Sequence, residues 1–199
     1  MKDSQTKFSS ELIEENKDFI YPILFYLSGL ILGSVFYSVT KGGLNGFLKI
    51  IYNTSQINIL SMFIGRCGLY LFIFSFTLLL SICLVGFKFI NLIPLISGIA
   101  LSIKISYYCF FGIKGFLRSL LLVVPETAVY ITIIIFTIKN CSTLSRKIYD
   151  STLKKSDMTC DLSIKSYLKT FIIYALLLVA TAFINSILTY LLRNIIPPM

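Results

Sequence analysis

Of 199 residues, 56% are apolar and only 14% charged, the mean hydropathy is +0.86 and the net charge is +9. A soluble domain needs roughly a quarter of its residues charged to cover its surface, so this balance excludes one. With no His, no Trp, no P-loop motif and five scattered Cys that form no CxxC pair, the chain has no parts for a histidine-based nucleophile triad, a zinc site or a P-loop nucleotide site.

The amino-terminal tail sets Lys2, Lys7 and Lys17 against Asp3, Glu11, Glu14, Glu15 and Asp18, and the first long apolar run covers residues 19–40. A cleavable secretory signal has a basic start and a shorter apolar core ending in small residues. Neither occurs here, so 19–40 is retained as the first span. Within it, Ser28-Gly29-Leu30-Ile31-Leu32-Gly33-Ser34 places Gly29 and Gly33 as helix-packing residues, because their missing side chains let a neighbouring helix approach closely in lipid. Another span of this chain fits that face, and so does another protein.

Segment 41–66 begins with Gly42 and Gly43 and then spaces Leu44, Phe47, Leu48 and Ile51 as on a helix, with Lys49 opposite. A short amphipathic helix in the membrane interface and a loop packed on the bundle both fit. The apolar run 50–65 is set aside as a span, since Asn53, Thr54, Ser55, Gln56, Asn58 and Ser61 make it too polar and it falls short of the about 20 residues that cross a bilayer core. The second span is therefore expected at 67–87, turning at Lys88 into a third at 89–111 that Lys104 interrupts.

Gly112 to Arg118 then leads into the fourth span, 119–138, which contains Pro125 and Glu126. Proline cannot donate to the carbonyl of Leu121, so a kink or helix break is expected there. Glu126 must be paired, protonated or hydrated, because an isolated charge at depth costs about 2.5 to 3.5 kcal/mol on insertion scales. Lys104 is its natural partner: counted from the ends of the third and fourth spans, both lie roughly 10 Å deep at about 1.5 Å per residue. The open alternative is that Lys104 snorkels to the interface while Glu126 takes a proton or reaches Arg118.

The stretch 139–169 holds seven of the eighteen Lys and Arg, which marks it as a basic cytoplasmic loop. The fifth span, 170–192, then runs outward. The expected fold is all-α: a polytopic integral membrane protein in a single domain, 1–199, with five transmembrane helices, a cytoplasmic amino terminus and an external carboxyl terminus. No catalytic, metal or cofactor-binding residues are expected, and the partner read from composition is membrane lipid, not nucleic acid.

Gly112-x-x-Gly115-Phe116-Leu117-x-Ser119, followed by Val124-Pro125, together with the glycine-spaced Leu27 to Gly33, resembles the stage II sporulation protein M family of endospore-forming bacteria, over essentially the whole chain. The resemblance implies a noncatalytic scaffold of the mother-cell membrane that recruits peptidoglycan-degrading partners, stage II sporulation proteins D and P, to the septum during engulfment. Two departures are a short outer loop between the first two spans and Glu126 at a position that can be an uncharged polar residue in the family. The second argues against an obligatory proton or ion relay. The alternative is a transporter, or a membrane subunit of one, with a polar path through Lys104, Arg118 and Glu126; the unequal spans show no internal repeat of the kind many transporters have.

Overall fold

The computed structural model describes residues 16–40, 58–83, 86–153 and 164–192, and among these no strand occurs. Helix α1 is Asn16–Thr40, α2 Ile59–Ile82, α3 Gly86–Phe89, α4 Leu92–Cys109, α5 Gly112–Arg118, α6 Val124–Leu153 and α7 Ile164–Leu192. A π-helical turn, Ser119–Val123, joins α5 to α6. Five helical stretches are long and apolar enough to cross a membrane: Asn16–Thr40, Ile59–Ile82, Gly86–Cys109, Gly112–Tyr149 and Tyr167–Leu191. The helical solution is what lipid demands, because every backbone donor and acceptor must be met within its own segment. Hydroxyls in the spans follow the same logic by bonding back along their own helix, as in Ser28 to the Phe25 carbonyl and Thr137 to the Ile133 carbonyl, both at 2.8 Å.

Several boundaries differ from the sequence expectation. The second crossing begins at Ile59, not at Cys67, so part of the run set aside as too polar is helix. Its Arg66 is met by groups on α6 and α7, which a count along one segment cannot see. The stretch 112–118 is a helix continuous with the fourth crossing. The expected basic loop is also partly helix, since α6 continues to Leu153 and α7 starts at Ile164. This extension of α6 is anchored by buried Cys141, Ser142, Leu144 and Ser145. The tail 1–15, the amphipathic segment as far as residue 57, the middle of the basic stretch at 154–163 and residues 193–199 lie outside the described residues.

Helix α6 is the hub. Its Tyr130, Ile133, Ile134, Ile138 and Cys141 pack with Tyr70 and Phe74 of α2, with Ile90 in the turn before α4 and Ile93 in its first turn, and with Phe171, Leu178 and Ala182 of α7. A second cluster joins Tyr37 of α1 to Leu101, Tyr107 and Tyr108 of α4 and to Val123. Helix α1 is fastened through α4: a Cβ at Gly29 would run into the Leu95 carbonyl, one at Gly33 would lie 2.6 Å from the Ile99 carbonyl oxygen, and Gly98 answers from α4 against Tyr26. The small-residue face of α1 thus has its neighbour within the chain.

The turn from α4 into α5 explains the other glycine pair. Gly112 has φ +74°, in the left-handed region. At Gly115 a side chain would strike the carbonyl of Tyr108 as the chain doubles back. Instead of a break at Pro125, the helix passes through the π-turn, where the Val124 amide donates to the Ser119 carbonyl. That displacement leaves Pro125, which has no N–H, at the position that would serve the Leu120 carbonyl in the π register.

One end of the bundle gathers the start of α1, the α2–α4 corner and the late part of α6. Arg146 pairs with Asp18 at 3.0 Å, and the Lys139 ammonium sits 4.1 Å from the ring centroid of Phe19. Ser145 Oγ donates to the Cys83 carbonyl at 2.7 Å and accepts from the Phe87 amide at 3.2 Å, so one hydroxyl of α6 pins the corner. The opposite end gathers the start of α2, the α4–α5 turn and the end of α7.

Candidate functional site: a buried ionic junction

Near this second end, ionisable side chains from three helices meet. Glu126, in the first turn of α6, has a side chain only 2% exposed. Its Oε2 lies 3.5 Å from Lys104 Nζ of α4, and its Oε1 lies 3.7 Å from Arg66 Nε of α2. The Tyr70 hydroxyl, one helical turn beyond Arg66, donates to Oε1. Arg66 in turn donates to Ser186 Oγ at 3.4 Å and to Thr189 Oγ1 at 3.0 Å, which brings in α7. Asn185 of α7 lies beside the carboxylate, yet its buried Nδ2 closes no hydrogen bond of normal geometry.

Lys104 and Glu126, singled out in the sequence, are thus brought together, though not by the equal-depth count. The fourth helix starts at Gly112 rather than Ser119, which places Glu126 about two turns further in than that count assumes. Arg118, 4% exposed, lies with its guanidinium 5.7 Å from the ring centroid of Tyr108. Pro125 adjoins the junction, whereas Gly29 and Gly33 belong to the α1–α4 contact. Sequence reasoning missed Arg66, Tyr70, Asn185, Ser186 and Thr189. The available signals were the i, i+4 spacing of Arg66 and Tyr70 and the polar ridge Asn185, Ser186, Thr189 on one face of an otherwise apolar helix.

Chemically the junction is a cross-brace. One carboxylate serves two cations and a phenol, and the two cations tie α2, α4, α6 and α7 together. Beside it, α2 and α4 both pack on α6 with little contact between them, and they leave a cleft of about 470 Å³ lined in part by Arg66, Lys104, Tyr70, Glu126 and Tyr130. Tyr130 stacks on Tyr70 with ring centroids 4.7 Å apart. Among the described residues, no group of three or more His, Cys, Asp and Glu is arranged to hold a metal ion.

Compared with known proteins, the chain matches no family model, no curated protein and no solved structure.

Proposed function

We propose that this chain is a noncatalytic membrane scaffold. In this reading the junction end of the bundle is external, the Ser145 end is cytoplasmic, and the protein holds peptidoglycan-degrading partners at the septum of a sporulating mother cell during engulfment. The observation that carries it is the use to which the intramembrane charges are put: Glu126 is enclosed by Arg66, Lys104 and Tyr70, and these contacts brace helices against one another. A braced bundle with long apolar faces on α1 and α7 suits a platform for other membrane proteins. The identity of the partners, stage II sporulation proteins D and P, and the mother-cell location rest on the resemblance of the glycine and Val124-Pro125 motifs. Affinity purification of the tagged chain from engulfing cells should bring down both hydrolase partners, and recovery of neither rejects the scaffold.

The cleft favours a second reading, a transporter or transporter subunit with a polar path. Lys104 and Glu126 line it, while Arg118 does not. Single cysteines at 104 and 126, in a background stripped of native cysteines, separate the two readings. Strong labelling by a water-soluble reagent fits a path, and weak labelling fits a brace.

A further inference from the structure

The cleft between α2 and α4 carries hydroxyls at the mid-depth of the bundle. Tyr70 in Ile59–Ile82, Ser97 in Gly86–Cys109 and Tyr130 in Gly112–Tyr149 each fall at the midpoint of their own apolar stretch, and all three line the cleft. The Tyr70 hydroxyl is taken up by Glu126. Tyr130 is 6% exposed and its hydroxyl closes no hydrogen bond of normal geometry, although Ser97 of α4 stands beside it. A buried polar group left without a partner is costly, most of all in a bundle surrounded by lipid, and the middle of such a bundle is where many membrane proteins hold a ligand. The charged groups of the cleft are engaged with one another, with the Glu126 carboxylate filling the space between Arg66 and Lys104. What the cleft offers a ligand is therefore neutral: hydroxyls set in apolar walls.

Shape and depth decide the occupant. The cleft follows α2 from Ser61 to Ile73, ~18 Å at about 1.5 Å per residue, so its 470 Å³ corresponds to a mean cross-section of ~26 Å². A helix about 10 Å across needs ~80 Å², so another span does not fit, whereas a hydrocarbon chain does. Since α2 and α4 have little contact with each other, the side of the cleft away from α6 is open between them. Leu69 stands at that opening, 57% exposed, and Gly65 of the same wall has open space where a side chain would stand. A charged or zwitterionic head is held at the bilayer surface, whereas an uncharged one reaches the level of Tyr130 at far lower cost.

We propose that the cleft between α2 and α4 binds an uncharged lipid of the acylglycerol class, with a hydroxyl or ester carbonyl of its head at the Tyr130 hydroxyl and the acyl chain leaving past Gly65 and Leu69 through the open side. The site is independent of partner capture and stands whether the scaffold or the transport reading holds.

The test uses the full chain, purified and delipidated in a neutral detergent, with native mass spectrometry and thermal unfolding as readouts. Monooleoylglycerol should be retained as a one-to-one adduct about tenfold more tightly than oleate, which has the same chain and a charged head, or octadecene, which has no head, and it should raise the unfolding temperature. Glycerol at millimolar concentration should not. Tyr130→Phe should bring monooleoylglycerol down to the level of octadecene without lowering the unfolding temperature of the lipid-free chain, since the hydroxyl it removes has no partner there. Gly65→Leu, whose added Cβ meets nothing within 4 Å, fills the cleft and supplies the second arm; it should lower monooleoylglycerol retention about tenfold. Equal retention of monooleoylglycerol and either comparison molecule, or retention unchanged by either substitution, overturns the site. Stabilisation by glycerol equal to that by monooleoylglycerol overturns the lipid and assigns a small polar solute instead.

Discussion

Removing the Glu126 carboxylate should be the most damaging single change in the bundle, and the junction's geometry sets its size. In Glu126→Ala, Arg66 and Lys104 each lose the oxygen 3.7 Å and 3.5 Å away, and the Tyr70 hydroxyl loses its acceptor. Breaking a buried pair by deleting one partner costs about 3–5 kcal/mol, because the survivor stays buried and uncompensated. For a chain of this length that loss is a fall in unfolding temperature on the order of 10 °C. Lys104→Ala should cost less than half as much, since Glu126 keeps Arg66 and Tyr70 while the excess of positive charge falls. The double variant Lys104→Ala with Glu126→Ala should therefore recover part of the loss caused by Glu126→Ala alone. Full relief is blocked by Arg66, whose guanidinium stays tied to Ser186 and Thr189. Glu126→Gln should fall between wild type and Glu126→Ala, keeping an acceptor for Tyr70 but no charge. The assay is a double-mutant cycle on unfolding in detergent. Strictly additive losses, or a Lys104→Ala penalty as large as that of Glu126→Ala, would refute the reasoning.

The other predictions concern the remaining contacts. Replacing Gly29 and Gly33 together with Ile should force α1 off α4, because the new side chains meet the Leu95 and Ile99 backbone; lower abundance and a lower unfolding temperature check this, and unchanged values for both contradict it. Ser145→Ala should cost about 1–3 kcal/mol by leaving the Cys83 carbonyl and Phe87 amide without their shared partner, read as a fall in unfolding temperature. Asp18→Asn should cost less than about 1 kcal/mol, since both side chains of that pair are partly exposed, and the effect should shrink further in high salt.

The five helices long and apolar enough to cross a membrane are legible in the sequence because apolar runs near bilayer length survive between the charges. What misleads a linear reading is any residue whose partner lies far along the chain. Arg66 looks like the edge of a span until Glu126, Ser186 and Thr189 surround it, more than fifty residues away in sequence. Lys114 and Arg118 make 112–118 look like a loop, although Gly112 and Gly115 are what let that stretch turn straight back as a helix. Lys139 to Lys147 look like a cytoplasmic loop, although Cys141 and Ser145 hold one face against the bundle. Lys104 and Glu126 could be matched because both are ionisable groups inside apolar runs. Tyr70 and Asn185 carry no charge, so they stood out only through the i, i+4 spacing to Arg66 and through the polar ridge Asn185, Ser186 and Thr189. The π-turn was readable only as some irregularity beside Pro125, since its register depends on how α5 seats against Tyr108.

The five-span bundle with its Ser145 end inward is tested most directly by two native thiols at opposite ends. Cys83 lies at the α2–α4 corner and Cys109 at the end of α4, and both are free and exposed. In variants retaining only one of them, a membrane-impermeant maleimide applied to intact cells should label Cys109 directly and Cys83 only after the membrane is opened. Labelling of both from the same side would contradict the topology.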